Sequence, residues 1–507
     1  MKEFVINVEP LETRIAFLED KRLVELIIER QESRSVVGNI YKGRVDSIVQ
    51  GIQAAFVDTG FEKNGFLYVS DIAGVDAEGD ITFENGAAKP QSRPRRGRHL
   101  GIEKLLHKNQ EIMVQVSKDT LGTKGVRLTN YVTLPGRYVV FMPTVRTLGI
   151  SRKIEDEQER ERLRKILQSI RPKEGGLILR TAAEGKQKSD FQSDLRYITK
   201  LWEKIQSRMN SMKAPCLVHE DLGPILRLVR DCFTSDVQRL TVDSEPEYAR
   251  ILSFLDSFAP SLRKRCRLYR GKRPLFDKMG LEPEIEKALQ RRVQLKSGGH
   301  ICIDQTEALI AIDVNTGRFT GSSHLEETAF RTNMEAAEEI ARQVRLRDLG
   351  GIIVVDFIDM QLERNRKDLI RKLTECLKRD RAKTTLSEIS ELGMIEMTRK
   401  RVRSNLVKAL SQPCPYCDGS GMVRSITTVT FAALRRLRSL FCQSREKQVI
   451  LQVHADVARR LRTENKQLLE DTARQFDRII EVESVSDFHI RDVRILSART
   501  RTEIPVS

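Results

Sequence analysis

The stretch Ser297–Gly317, SGGHICIDQTEALIAIDVNTG, decides the fold when it is read together with Gly351–Met360, GIIVVDFIDM. In each, a run of aliphatic residues reaches an aspartate: ALIAIDVN at Asp313 and GIIVVDF at Asp356. Between them, HLEETAFRTNMEAAEEIARQVRLRDLG repeats Phe330, Met334, Ala337, Ala341 and Val344 at helical spacing and ends at Gly350 or Gly351. A strand, a crossover helix and a second strand predict a parallel pair. The unbroken apolar run of the second strand predicts cover on both of its faces. Parallel neighbours that both end on aspartate put two carboxylates on one edge of the sheet, where open α/β sheets bind ligands.

Two carboxylates that close repel each other unless a cation sits with them. Hard oxygen ligands favour Mg²⁺ or Mn²⁺. In a basic protein such an ion points to phosphodiester chemistry, in which it polarises the phosphate and activates a water. The same residues are compatible with a plainer role, capping the loops that follow the strands. Asn315, two residues past Asp313, could bond a phosphate or a carboxylate, or could be only a turn residue; Asp304, Asp359 and Glu327 are neighbouring acids of lower rank.

Outward from this unit, the 507 residues are long enough for about three to five domains or subdomains. A hydrophobic content of 40% excludes wholesale disorder, and no apolar run of the roughly 18 residues a membrane span needs is present. The start, MKEFVINVEP, lacks the basic and apolar regions of a secretory signal. The 88 basic and 71 acidic residues leave a net charge of +17, which suggests a polyanionic partner, nucleic acid first and an acidic membrane surface second. Six scattered cysteines (Cys216, Cys232, Cys266, Cys302, Cys376, Cys442) are expected to be buried thiols of a reducing cytoplasm.

Residues 1–34 alternate apolar and polar side chains, as antiparallel strands with turns at Glu9-Pro10 and Asp20-Lys21 would. From Gly38 to about Asn130, short strands punctuated by Gly and Asp suggest a small closed barrel. Phe56 and Phe66 within it are candidate base-stacking rings, or core residues. The segment 76–99 departs from that pattern and ends in RPRRGRHL, read as a solvated loop or as a basic arm against phosphates. Leu163, Ile166, Leu167 and Ile170 fall on one face of a charged helix. Arg180-Thr181, after the strand LIL, could form a phosphate pocket from a guanidinium fork, a hydroxyl and backbone amides. AAEGK lacks the first glycine and the final Ser/Thr of a phosphate-binding loop, so no nucleotide site is read there.

Cys414 and Cys417, in CPYCDGSG, form a cysteine knuckle in a linker ahead of a small α+β domain at 425–507. Zn²⁺ wants four ligands, and the sequence offers no second CxxC or close His. Two chains that each supply two thiolates would complete the site and join a dimer. A thioredoxin-type redox pair is the competing reading, and a free pair the remaining one.

Taken together, IDVNTGRFTG, EETAFRTNMEAAEEIARQVRLRDLGGIIVVDFIDM, LGMIEMTRKR, CPYCDGSG, AAFVDTGFEKNGFL and GISRKIED closely resemble the bacterial ribonuclease E/G family from about residue 1 to 425. The chain carries no long scaffold tail after this region and so looks like the shorter branch of that family. The resemblance implies an α+β and α/β multidomain architecture. Its parts would be an RNase H-like subdomain (1–34 plus 213–290), an OB-fold RNA-binding barrel (35–130), a 5′-phosphate sensor (131–212), a DNase I-like catalytic subdomain (291–408), a zinc-link (409–424) and a small dimerising domain (425–507). It implies an endoribonuclease that cuts single-stranded A/U-rich RNA, prefers a 5′-monophosphate, matures ribosomal RNA and starts mRNA decay.

By the same resemblance Asp313 and Asp356 hold catalytic Mg²⁺ and Asn315 assists at the scissile phosphate. Arg180 and Thr181 form the sensor with Arg152, Gly136 and Val140 as its other wall. Phe56, Phe66 and Lys124 grip RNA, and Cys414 and Cys417 share Zn²⁺ between two protomers. The expected assembly is a homodimer or a dimer of dimers. The basic insert 76–99 matches no feature of the family and leaves the RNA path over the barrel open. Two other classes of function compete: a non-catalytic RNA-binding assembly protein, and a redox protein centred on Cys414 and Cys417.

Overall fold

The computed structural model describes residues 1–30, 35–72, 81–84, 87–90, 101–119, 125–172, 174–316, 325–390, 393–401 and 405–505. The chain is a mixed α+β protein of two compact units, Met1–Ala409 and Leu410–Ser507.

In the first unit the N-terminal strands do not stand alone. Asp20 and Lys21 both take positive φ and turn the strand Glu12–Glu19 into Arg22–Arg30 as a tight hairpin. The strand Lys2–Val8 pairs antiparallel with Glu12–Glu19 on one side and parallel with the distant strand Val237–Val242 on the other. Cys266–Leu268 completes a five-stranded sheet. Phe4, Ile6, Ile15 and Phe17 pack there with Ile225, Leu228 and Val229 of the helix Pro224–Cys232 and with Phe254 and Leu255 of the helix Glu245–Phe258. Burying each such side chain contributes roughly 1.5–3 kcal/mol, which is what draws the two distant segments into one layer.

A closed barrel follows. Ile40–Val49, Ala54–Asp58, Gly65–Tyr68, Arg127–Thr129 and Glu111–Lys118 pair in that order, and Ile40–Val49 pairs back onto Glu111–Lys118. Closure leaves none of these five strands at an edge, and Cys216–His219 adds a sixth strand along the start of Ile40–Val49. Val45, Val57, Leu67, Val114, Val116 and Leu128 fill the interior. Gly65 lies so close to that filling that a Cβ would sit 2.5 Å from Leu128 Cδ1. Within the insert 76–99, Ile81–Glu84 and Ala87–Pro90 pair antiparallel, and the rest lies outside the described residues.

A four-stranded sheet of Leu134–Pro135, Val139–Met142, Gly176–Leu179 and Leu148–Ile150 comes next, with the helices Glu157–Ser169 and Lys188–Ser211. Leu163, Leu167 and Ile170 are buried there and Ile166 partly so.

The last sheet of this unit has six strands, in the order Arg292–Gln294, His300–Gln305, Leu309–Asn315, Gly351–Asp356, Met394–Arg399 and Thr384–Ile389. Leu309–Asn315 and Gly351–Asp356 are parallel, as strand, helix and strand require. Ile310, Ile312, Ile353, Val355, Ile395 and Met397 are buried in one cluster with the helices Leu325–Leu346 and Glu363–Leu377. The expectation of a strand covered on both faces is corrected here: Ile352 is 52% exposed and Val354 only half-buried. Both helices serve one face, so the alternate residues of Gly351–Asp356 look outward among the described residues.

The second unit carries a three-stranded sheet in the order Ile479–Val485, Gln448–His454, Val493–Ser497. The helix Ile426–Gln443 starts at Ser425, whose hydroxyl accepts from the Thr428 amide. It packs Val429, Leu434 and Leu437 with Val449, Leu451 and Val453 of the central strand. The cysteines depart from expectation: Cys266 is buried, Cys216, Cys232, Cys302 and Cys376 are half-buried, and Cys442 is exposed. The strands and helices that hold them are amphipathic, and an apolar neighbourhood in sequence does not say which face a residue takes. No helix among the described residues is long and apolar enough to cross a membrane.

Candidate active site and RNA-contact surfaces

Asp313 and Asp356 are direct partners in the parallel pairing of their strands. Both are exposed, and by strand alternation both rise from the sheet face opposite the helices. Asn315 Nδ2 donates to Asp313 Oδ2 at 2.7 Å, which fixes that carboxylate. Among the described residues, neither aspartate has an ion-pair partner. Two adjacent carboxylates beside an amide oxygen form an all-oxygen donor set, which suits a hard divalent cation. Of the lower-ranked acids, Asp304 is taken by Arg291 at 2.5 Å. His300 stands opposite Asn315 and accepts from Arg292 Nη2 through Nδ1 at 3.1 Å, which leaves the proton on Nε2. Burial and Arg292 hold its imidazole below the usual range.

A residue of the crossover helix supports Asp356. Asn333, fully buried, donates through Nδ2 to Ile358 O at 2.7 Å and accepts from Ile358 N at 3.1 Å. The segment leaving Asp356 is therefore held by both of its backbone groups at that point.

Arg180 follows the strand Gly176–Leu179, and Thr181 opens a short 3₁₀ turn. Arg180 Nη1 donates to Gly136 O at 2.5 Å and to Asp231 Oδ1 at 2.6 Å. The hydroxyls of Thr181 and Ser151 lie 3.0 Å apart, and Arg152 follows Ser151 on the exposed side. Gly136 borders the buried Asp194, whose carboxylate accepts from the amides of Arg137, Tyr138 and Val139. A Cβ at Gly136 would lie 2.3 Å from Asp194 Oδ1, so this glycine lets a loop close on a buried carboxylate. Val140 is only 1% exposed and packs with Tyr131, Met142 and Ile178. Any wall it forms is a backbone wall.

In the barrel Phe56 and Phe66 are cross-strand partners with ring centroids 5.3 Å apart. Both are half-buried, while the alternate residues Val57 and Leu67 point inward. Tyr68 continues the row at 4.4 Å from Phe66, and the Arg127 guanidinium lies 4.8 Å from the Tyr68 ring while paired to Asp71 at 2.8 Å. Lys124 lies outside the described residues.

The knuckle belongs to the second unit. The amides of Cys417 and Tyr416, and then the Cys417 side chain, hold the Cys414 thiol below its ordinary range. Cys417 Sγ accepts from the Gly421 amide at 3.3 Å, and Gly421 takes positive φ. Amides turned toward two sulfurs fit thiolates of a metal knuckle. His489 Nε2 bonds Tyr416 O at 2.6 Å, with the two rings 4.2 Å apart. The pair precedes the helix Ile426–Gln443 by a loop rather than starting it after a strand, as a thioredoxin-type pair would. Among the described residues no group of three or more His, Cys, Asp or Glu could hold a metal, so each candidate site has two such side chains.

Residues 133–402 match the Ribonuclease E/G family, and residues 413–500 match the RNase E/G thioredoxin-like domain. Ribonuclease G of Escherichia coli (strain K12) is 42% identical over 435 residues, 86% of this chain and 87% of that protein. The chain belongs to the ribonuclease E/G family. Ribonuclease G of Haemophilus influenzae is 41% identical over the same length. Ribonuclease E of Escherichia coli (strain K12) is 38% identical over 470 residues, 92% of this chain but 43% of that protein.

Residues beyond those expected also shape the candidate sites of this family member, and only some of them carry a signal in sequence. Asn333 did show one, an amide in a helix face otherwise made of Phe330, Met334 and Ala337. Tyr68 shares the period-two spacing of Phe66. Asp231 and His489 lie 51 and 73 residues from the groups they touch and show none.

Proposed function

We propose that this endoribonuclease of RNA processing cuts single-stranded A/U-rich RNA in a Mg²⁺-dependent reaction and prefers a 5′-monophosphate. We propose further that it acts in ribosomal RNA maturation and mRNA decay in the cytoplasm, as a zinc-joined homodimer or dimer of dimers. Membership of the ribonuclease E/G family makes the chain an endoribonuclease. The observation that carries the finer reading is the side-by-side placement of Asp313 and Asp356 on the outward sheet face, with no ion-pair partner for either among the described residues.

Asp313 and Asp356 would hold Mg²⁺, with Asn315 keeping the first carboxylate in place. A bound ion would polarise the scissile phosphate and offset the charge that builds on it. The protein's own part is positioning. Phe56, Phe66 and Tyr68 offer a stacking row for unpaired bases, which only single-stranded RNA can present. The Arg180 fork and the Thr181 and Ser151 hydroxyls suit a terminal phosphate. Attack by water at phosphorus would leave 5′-monophosphate and 3′-hydroxyl ends.

The test is cleavage of a short A/U-rich RNA carrying either a 5′-monophosphate or a 5′-hydroxyl, with Mg²⁺ or with EDTA. Cutting that needs Mg²⁺ and is faster for the monophosphate is expected. Tight binding with no cutting would reverse the reading in favour of an RNA-binding assembly protein.

A further inference from the structure

We infer that Asp231 is a positioning residue of the 5′-phosphate site: its carboxylate holds one nitrogen of Arg180 against the protein and so presents the other edge of the guanidinium to a terminal phosphate. This rests on the reading of Arg180 as the sensor.

Three acceptors converge on Arg180 Nη1: Asp231 Oδ1 at 2.6 Å, Gly136 O at 2.5 Å and Arg137 O at 3.3 Å. Among the described residues, no acceptor bonds Nε or Nη2. A guanidinium is a planar fork of five N–H groups. Fixing Nη1 in the plane therefore fixes the direction of the Nε–Nη2 edge, the edge that binds a phosphate through two parallel hydrogen bonds. The Arg180 side chain is 31% exposed, so that edge is within reach of a ligand.

Asp231 is itself held firmly. Arg230 Nε donates to Oδ1 at 3.0 Å and Arg230 Nη2 to Oδ2 at 2.9 Å. Arg230 Nη1 reaches Pro135 O at 3.1 Å. Arg137 caps the same helix end by donating to the carbonyls of Val229, Arg230 and Phe233 at 2.7–3.0 Å. The end of the helix Pro224–Cys232 is thus tied to the 135–139 loop that lines Arg180. The cluster of Arg180, Arg230 and Asp231 sums to one positive charge, so the carboxylate orients a cation without cancelling the attraction for an anion.

A purely structural Asp231 would only neutralise the buried Arg230. The two roles separate in the discrimination between substrates. kcat and KM are measured separately for 5′-monophosphate and 5′-hydroxyl RNA in wild type, Asp231→Asn, Asp231→Glu and Arg180→Ala, with thermal melting of each. Positioning predicts that Asp231→Asn lowers the monophosphate-to-hydroxyl ratio of kcat/KM about tenfold, the scale of one charge-assisted hydrogen bond. The change should sit in KM for the monophosphate, and Asp231→Glu should recover part of the ratio. A folded Asp231→Asn with the wild-type ratio, while Arg180→Ala loses it, overturns the positioning role and leaves the sensor standing. A wild-type ratio in Arg180→Ala overturns the sensor reading and this inference with it. If Asp231→Asn does not fold, Asp231→Glu decides: it keeps the charge beside Arg230 but moves the carboxylate by one methylene. A reduced ratio then supports positioning, and an unchanged one refutes it.

Discussion

Asp313 stands directly opposite Asp356 across the parallel pairing of their strands, and both carboxylates reach solvent on the sheet face that the helices leave open. If they hold the catalytic ion, Asp313→Asn and Asp356→Asn should each lower kcat by about 10²–10³ or more, the scale seen when one transition-state electrostatic group is removed. RNA affinity should hold or rise slightly, because each change removes a negative charge from a phosphate-binding face. Cleavage rate and filter retention on the same RNA check this; parallel loss of both would place the aspartates in binding or folding instead.

Asn333 satisfies both backbone groups of Ile358 from inside the core. Asn333→Ala leaves those groups unpaired and should cost about 2–3 kcal/mol of stability. The activity lost in the folded fraction should exceed that of a core change of equal stability cost elsewhere, since the segment leaving Asp356 loosens. Denaturant unfolding with kcat measured on the same samples tests both parts.

The row of Phe56, Phe66 and Tyr68 predicts a stacking surface. Phe66→Ala should weaken binding of single-stranded RNA by about 1–3 kcal/mol. The dependence of affinity on salt should not change, because no phosphate contact is lost. Fluorescence anisotropy at two salt concentrations reads both; an altered salt slope would mean that the aromatic row supports phosphate contacts.

For the knuckle, Cys417→Ser should release zinc and lower the oligomeric state, as sedimentation and metal analysis would record. Wild type that carries no zinc yet stays oligomeric would rule out the zinc-joined dimer.

Acid should weaken the link between the sheets. Burial would raise the Asp231 carboxyl, but Arg230 and then Arg180 outweigh it and hold it at about 2 against 3.8 for a free group. A depressed folded-state value means stability that is present above the unfolded value and lost as pH falls through the folded one. The pair should therefore contribute about 2 kcal/mol that disappears between roughly pH 4 and 2. Asp231→Asn should show a shallower loss of stability over that window in urea titrations.

The βαβ unit with its two aspartates was legible because each strand is a near-continuous aliphatic run and the helix repeats Phe330, Met334, Ala337, Ala341 and Val344. The barrel was legible as regularly spaced short strands, and the N-terminal hairpin from Asp20-Lys21. The one-sided cover of Gly351–Asp356 was not. An apolar run reads alike whether one face or two are covered, and Ile352 is exposed despite it. The cysteines misled for a related reason, since local composition does not assign a face.

By itself the sequence determined the strands, the helices and the residue types of the chemistry: paired carboxylates, an arginine fork, alternating aromatics and a cysteine knuckle. All of these follow from local periodicity and turn chemistry, which act over a few residues. Only the tertiary structure decided that Lys2–Val8 pairs with Val237–Val242, that Asp231 reaches Arg180, that His489 braces Tyr416 and that Asn333 holds Ile358. Such contacts are chosen by burial of apolar surface and by the need to pair every buried polar group. Both depend on which distant segments meet, and no local pattern encodes that.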